Sequence, residues 1–135
     1  MNILRNNPYR LLGVYSNSPT KERLANHNRM KAFLKVGKSI SFPLDIPQYL
    51  SSINRTEASV ADAEAKLTLP KDQILYAQFW FIKTTPLDEV AFNHLFAGEI
   101  DKAEEIWQKR ECLSALQNLI VCAVIGIFAP TNFRN

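Results

Sequence analysis

Asn7-Pro8-Tyr9-Arg10-Leu11-Leu12-Gly13-Val14 is the stretch that decides the fold, because it has the pattern of a short helix with both ends marked. Asn7 is a favourable N-cap, and Pro8 suits the first helical position. Gly13 suits the position that closes a helix. Tyr9 and the two leucines can reach a core from one side of such a helix. The stretch therefore predicts a short helix that is anchored in the core.

A strongly basic segment follows, and its spacing predicts a longer helix over about residues 19–36 that ends at Gly37. Six bases against one acid, Glu22, give this segment a charge of +5, and the bases are Lys21, Arg23, Arg29, Lys31, Lys35 and Lys38. Residues 84–111 carry seven acids and three bases, which gives −4. The two parts of the chain therefore carry opposite fields.

Helical patterns continue along the rest of the chain, so we predict an all-α fold. Residues 38–54 are expected to form a long loop that Pro43 and Pro47 keep irregular and that apolar side chains pack onto the core. Further helices are predicted to begin near Asn54 or Thr56, either of which is a good cap, and near Pro70, Pro86, Ile100 and Ser114.

Two of these predicted helices have unusual compositions. The helix that begins at Pro70 is expected to include an aromatic group at residues 76–81, which predicts that it is central, because aromatic side chains dominate burial. The helix over about 114–128 is apolar nearly all round, which predicts burial on most sides.

The N-terminus gives no sign of a signal peptide, because Met1-Asn2-Ile3-Leu4-Arg5 has no apolar core and no small-residue cleavage site. The longest apolar run, residues 119–129, is shorter than the about 20 residues that a membrane helix needs. The 135 residues suit one domain or two small ones. We therefore expect a cytoplasmic protein without a membrane span.

The chemistry-bearing residues are few. Cys112 and Cys122 lie near apolar runs and are expected to be buried free thiols. His27 and His94 complete too small a set for a metal site. The chain has no phosphate loop, nucleophile elbow or paired-acid motif, so we expect neither an enzyme nor a cofactor. Catalysis by residues far apart in sequence would need a polar pocket that holds one of these histidines beside an acid. We expect no such pocket, because we expect His27 to lie at the surface and His94 to pack between helices.

Residues 5–83 resemble a J domain, the co-chaperone module of the DnaJ family. The opening at 7–14 is similar to the family's D-Y-Y-x-x-L-G-V, the basic helix resembles the one that faces a DnaK-type ATPase, and residues 63–79 resemble the closing helix. The family's His-Pro-Asp is replaced by Ser41-Phe42-Pro43-Leu44-Asp45. The resemblance therefore implies a degenerate J-like fold that does not stimulate the ATPase, with Phe42 and Leu44 turned inward.

Residues 87–126 resemble a tetratricopeptide repeat, with Gly98 at the turn between helices and with Ala103 and Trp107 at the packing positions. One and a half repeats do not stack stably alone. We therefore divide the chain into a J-like region at 1–84 and a repeat-like region at 85–135. Either the first region caps the second, or the natural chain continues past Asn135. The apolar last helix favours continuation or self-association through 114–128.

These resemblances imply a non-catalytic protein-interaction module related to co-chaperones. The expected partner is a protein with an acidic surface, docked on the six bases of the second helix. A purely solvated basic face is the commonest alternative for such a helix. The rival function is nucleic-acid binding through the same helix, residues 19–38.

Overall fold

The computed structural model describes residues 3–128, which are helical and contain no strand. The helices are α1 (Pro8–Leu11), α2 (Thr20–Lys35), α3 (Pro47–Leu50), α4 (Glu57–Lys66), α5 (Pro70–Ala77), α6 (Pro86–Phe96), α7 (Ile100–Gln108) and α8 (Leu113–Phe128). A 3₁₀ turn covers Pro43–Asp45. The predicted all-α fold is confirmed. The extreme N-terminus and any continuation past Asn135, on which two of our expectations bear, lie outside the described residues.

Helix α1 is short but firmly held. The Asn7 side chain accepts a hydrogen bond from the Tyr9 amide at 3.0 Å and donates one to the Tyr76 carbonyl at 2.9 Å. Tyr9 and Leu12 are buried, and the helix packs against α4 and α5. The cap therefore does two jobs, because it starts α1 and also ties it to the end of α5.

Helix α2 packs against α4 along one narrow side. Met30 is its one buried residue. The Asn26 side chain donates to the Leu12 carbonyl at 3.0 Å, which fixes α2 against the end of α1. Most of the remaining surface of α2 faces solvent.

Of the aromatic residues that we expected inside a central helix, Tyr76 lies in α5, whereas Phe79, Trp80 and Phe81 lie after it. Helix α5 ends at Ala77 and buries none of its side chains fully, so the prediction that it is central is wrong. Trp80 and Phe81 are buried in the segment that follows. The Trp80 indole donates to the Val14 carbonyl at 2.9 Å, and the Phe81 ring lies 5.5 Å from the Phe92 ring. Both rings are therefore buried by the segment between α5 and α6 and not by a helix.

Helix α6 begins as its sequence predicts. Thr85 is the N-cap, and its hydroxyl oxygen accepts from the Asp88 amide at 3.3 Å while the Asp88 carboxylate accepts from the Thr85 amide at 3.1 Å. Asp88 is buried, and it also accepts from the Trp107 indole of α7 at 2.9 Å. Asp88 therefore takes part in the cap of α6 and also holds α6 against α7.

The loop over residues 38–54 is more regular than we predicted, because it contains the 3₁₀ turn and α3. Both short elements begin with a proline at the first helical position. Leu44 and Tyr49 are buried, and the Tyr49 hydroxyl accepts from the Ile100 amide at 3.2 Å. The prolines therefore start short helical turns here. The 3₁₀ turn contacts α1 and Tyr49 contacts the start of α7, so the loop packs against both helices.

Helix α8 contributes one face to the core. Its Asn118 side chain accepts from the Ile82 amide at 2.9 Å and donates to the Ile82 carbonyl at 2.8 Å. The opposite face is exposed, so the prediction that this helix is buried on most sides is wrong. Cys122 is buried, but Cys112, just before the helix, is exposed, which corrects our expectation. No helix within residues 3–128 combines the length and apolar character that crossing a membrane requires.

Candidate functional site

The outward side of α2 gathers most of the bases that the sequence singled out. Lys21, Lys31 and Lys35 are exposed and lie within about 80° of one another around the helix axis, with Lys21 and Lys35 on the side opposite Met30. Lys38 is exposed just beyond the helix end. Within residues 3–128, none of these four lysines makes an ion pair. The basic face, as we call these four residues, is therefore open.

The two arginines of α2 differ from the lysines. The Arg23 guanidinium is half-buried and forms an ion pair with Glu64 of α4, with Nε 2.9 Å from Oε1. Arg29 is exposed, and its guanidinium carbon lies 5.7 Å from the centre of the Phe33 ring. Arg23 therefore holds α2 to α4, and Arg29 is partly covered by its own helix. Of the six bases, the two arginines therefore lie outside the basic face, and within the described part of the chain Arg23 alone of the six is held in an ion pair.

His27 has an acidic neighbour that the sequence did not reveal. Its Nδ1 lies 3.6 Å from Oε2 of Glu64, the carboxylate that also binds Arg23. A cleft of about 200 Å³ adjoins this group, and its lining includes His27, Lys31 and Glu57 beside the apolar Leu34. Since the cleft lining has no serine, threonine or cysteine, the arrangement offers no side-chain nucleophile of these types for His27 to activate.

His94 also pairs with an acid. Its Nδ1 lies 3.0 Å from Oε1 of Glu99, and Lys102 contacts the other oxygen of the same carboxylate at 3.0 Å. The hydrogen bonds from His94 and then from Lys102 lower the pKa of Glu99. His94 is half-exposed, so our expectation that it packs between helices is wrong. Through Glu99, His94 of α6 and Lys102 of α7 are linked across the turn between these two helices.

Cations need several oxygen, nitrogen or sulfur ligands in one place. Among the described residues, no group of three or more histidine, cysteine or acidic side chains could hold a metal ion.

The loop that contains Phe42, Pro43, Leu44 and Asp45 is closed over a buried ion pair. The Asp45 carboxylate binds the Arg55 guanidinium twice, with Oδ1 2.6 Å from Nη2 and Oδ2 2.8 Å from Nη1. Oδ2 also accepts from the Phe42 amide at 3.2 Å. Both charged side chains are buried, and Arg55 further donates to the Leu11 carbonyl at 2.7 Å. Asp45 is therefore part of the interior and does not project from the loop.

A second buried arginine lies beside this pair. Arg10 donates to the carbonyl of Asp45 at 2.7 Å, to that of Ser51 at 2.5 Å and to that of Arg5 at 2.9 Å. Burial lowers the pKa of Arg10 to about 10, with nearby Arg55 acting in the same direction and Asp45 opposing it. Arg10 is therefore still charged at neutral pH, and its charge is balanced by backbone carbonyl dipoles.

The carbonyls that Arg10 binds belong to a strained part of the loop. Ile46 and Ser51, which flank α3, have φ values of +34° and +67°. Side chains other than glycine rarely adopt such values, and each costs about 1–3 kcal/mol. Arg10 binds the carbonyls of Asp45 and Ser51, which adjoin the two strained backbones. The guanidinium therefore stabilises the loop conformation that the local backbone opposes.

Phe42 packs between Gly13 and Arg55. Gly13 has φ +70°, and a Cβ atom added to it would lie 2.5 Å from the Phe42 ring. The Arg55 guanidinium carbon lies 5.1 Å from the centre of that ring on the loop side. Phe42 is half-buried and Leu44 is buried, as we predicted, while Pro43 is exposed. Gly13, which ends α1, is thus also required for Phe42 and its loop to pack against the end of α1.

Sequence reasoning missed Arg10 and Arg55 as interior residues. The signal for Arg10 was present, because it stands among apolar residues in a helix too short to leave it a solvated side. Arg55 had no comparable signal, because it lies in a polar segment next to a helix cap.

No protein-family model, no curated protein and no solved structure matches this chain. The resemblances to a J domain and to a tetratricopeptide repeat therefore stay predictions.

Proposed function

We propose that this chain is a non-catalytic protein-interaction module related to co-chaperones, and that it binds a protein with an acidic surface through the basic face of α2. The observation that carries the proposal is the set of unpaired, exposed lysines on one side of a helix, Lys21, Lys31 and Lys35, extended by Lys38. A helix that is attached along one narrow side can present such a face without rearrangement of the core.

The order and packing of the helices also support the proposal. Helices α2 and α4 pack together and are flanked by the short α1 and by α5, which is the arrangement that the J-like resemblance implies. The chain lacks the family's His-Pro-Asp, and the acid that remains, Asp45, is held by Arg55 inside the protein. A partner could reach the basic face, but not this carboxylate. We therefore do not expect stimulation of a DnaK-type ATPase.

Docking by this face is electrostatic. Lysines at the rim of an interface accelerate encounter and contribute less to the lifetime of a complex. Their effect falls with ionic strength, since the Debye length is about 8 Å at 0.15 M salt. The expected complex therefore forms rapidly, dissociates rapidly and weakens as salt rises.

A capture experiment tests this proposal. The wild-type chain and the Lys31→Glu plus Lys35→Glu variant are immobilised and exposed at low salt to extract from the native host. The control is Lys71→Glu plus Lys109→Glu, which makes the same change of net charge at exposed positions outside α2. We expect acidic proteins to be lost by the α2 variant alone. If both variants retain every partner, the basic face is not the binding site.

The same lysines favour one rival function, which is binding of nucleic acid. The face interleaves its lysines with Leu24 and Asn28, whereas single-stranded nucleic acids are bound by stacking on aromatic rings. A gel shift with mixed DNA and RNA at low salt separates the two functions. Binding through phosphates should weaken steeply with salt, and no shift at low salt removes the rival.

An ATPase assay separates the fold from the activity that the resemblance would suggest. The purified chain is added to a DnaK-type chaperone beside an authentic J domain. We expect ATP turnover to rise with the J domain and to stay at its basal level with this chain. A robust increase with this chain would show that a buried Asp45 does not prevent stimulation.

A further inference from the structure

The outer face of α8 is an apolar stripe that the fold leaves uncovered. Leu113, Leu116, Ile120 and Ile127 expose 84%, 53%, 46% and 72% of their surface, and Ala123 is exposed between them. These positions are spaced alternately by three and four residues, which is the spacing of a helix that packs against another helix. The stretch Leu113–Phe128 contains no charged residue.

We propose that this stripe pairs with the same stripe of a second copy of the chain, as two antiparallel α8 helices related by a two-fold axis near Ile120. The axis follows from the positions themselves, which are arranged almost symmetrically about Ile120. Antiparallel pairing places Leu113 opposite Ile127 of the second copy, and Leu116 opposite Ala123. Ile120 meets its own copy. A large side chain then faces a small one on each side of the axis, so the surfaces can interdigitate.

The charges next to α8 favour this orientation over a parallel one. Arg110 and Glu111 precede the helix, and the helix itself is neutral. A parallel pair would place each of these residues beside its own copy. In the antiparallel pair the two copies of Glu111 are about 27 Å apart along the axis, at 1.5 Å per residue. This exceeds the Debye length of about 8 Å, so like charges do not oppose the pairing.

The size of the stripe sets the strength of the dimer. From Leu113 to Ile127 the helix rises about 21 Å, and a helix is about 10–12 Å wide. The footprint is therefore smaller than the about 800 Å² per partner of a standard stable interface. We expect a dimer that forms at high micromolar concentration and dissociates on dilution.

Sedimentation equilibrium tests the association. The wild-type chain should show a monomer–dimer equilibrium, and Ile120→Glu should weaken it at least tenfold. The control is Leu69→Glu, which adds the same charge at an exposed leucine before α5, and it should leave the equilibrium unchanged. A wild-type chain that is monomeric up to millimolar concentration overturns the proposal. So does equal weakening by both variants.

Disulfide trapping tests the geometry without relying on the folding of a charged variant. Cys112→Ser removes the exposed thiol, and Ile120→Cys is then added. On addition of a thiol oxidant such as diamide, which takes up the two electrons and two protons, we expect rapid formation of a covalent dimer, because the two thiols would meet at the axis. A mixture of Leu113→Cys and Ile127→Cys chains, each on the same background, should give the mixed disulfide. Dominant Leu113→Cys homodimers would instead indicate a parallel pair and overturn the antiparallel arrangement.

This inference does not depend on the proposed function of α2, and salt distinguishes the two. Apolar pairing should persist or tighten in sulfate, whereas docking on the lysines should weaken. The Lys31→Glu plus Lys35→Glu variant should dimerise like the wild-type chain. Loss of dimerisation in that variant would show that the lysines, and not α8, hold the copies together.

Discussion

Asp45 and Arg55 form a buried, bidentate ion pair, with oxygen–nitrogen distances of 2.6 and 2.8 Å. The pair joins Asp45, in the loop after α2, to Arg55, just before α4. No helix contains both residues. Asp45 lies in the loop that follows α2, and its carboxylate is part of the interior. Pairing with Arg55 therefore closes the loop and also keeps the Asp45 carboxylate away from solvent.

The first prediction concerns this pair. Arg55→Met should lower the free energy of unfolding by about 3–5 kcal/mol, because it leaves the Asp45 carboxylate buried without a partner. Urea unfolding followed by circular dichroism measures the loss. Lys66→Met is the control, since it breaks the exposed pair with Asp62 and should cost less than about 1 kcal/mol. Equal losses in the two variants would contradict a structural role for the buried pair.

The second prediction compares two glycines with similar backbones. Gly13 and Gly37 have φ values of +70° and +74°, but only Gly13 has a neighbour within 4 Å of an added Cβ atom. Gly37→Ala should cost about 1–2 kcal/mol from backbone strain alone. Gly13→Ala should cost about 1–3 kcal/mol more, because the methyl group would overlap the Phe42 ring. Chemical denaturation of both variants gives the difference, and a zero difference would mean that Phe42 moves aside freely.

The third prediction concerns pH. Burial raises the pKa of Asp88, but hydrogen bonds from Thr84, Trp107 and Thr85 outweigh it, so the folded pKa lies below the usual value. A lowered carboxyl pKa stabilises the fold above the unfolded value of about 4, and that stabilisation is lost as pH falls through the folded pKa.

Asp88→Asn should therefore reduce the free energy of unfolding by about 1–3 kcal/mol at pH 7, since an amide cannot accept all four hydrogen bonds. The difference in the free energy of unfolding between the variant and the wild-type chain should become smaller below pH 4. Urea titrations at pH 7 and pH 3 measure it. Glu105→Gln, at an exposed position of α7, is the control and should change little at either pH. A gap that is independent of pH would show that ionisation of Asp88 does not contribute.

The fourth prediction separates the two cysteines by their exposure. Hydrogen bonding by the Ser114 hydroxyl, then by the Ala115 amide and by Arg110, lowers the pKa of the exposed Cys112 thiol. Under native conditions iodoacetamide should alkylate Cys112 rapidly and leave the buried Cys122 unmodified. Ser114→Ala should slow the reaction at pH 7. Mass spectrometry of timed samples measures both rates, and fast native labelling of Cys122 would contradict its burial.

The helix boundaries were predictable where capping is local. Thr85 and Asp88 are three residues apart, and their mutual hydrogen bonds need no other part of the chain. Asn7 and Gly13 likewise mark α1 within one short stretch. The basic helix was also predictable, because its lysines are identified by residue type. The exclusion of Arg23 from the basic face was not, since its partner Glu64 lies 41 positions further along.

The sequence by itself determined that the chain is helical, where several of its helices begin, and that one helix is strongly basic. Each of these properties depends on residues within four or five positions of one another. Only the tertiary structure decided that Asp45, Arg55 and Arg10 are interior, that Trp80 and Phe81 are buried outside a helix, and that one side of α8 is uncovered. Burial depends on which distant segments meet, and periodicity shows that a face is apolar but not what packs against it.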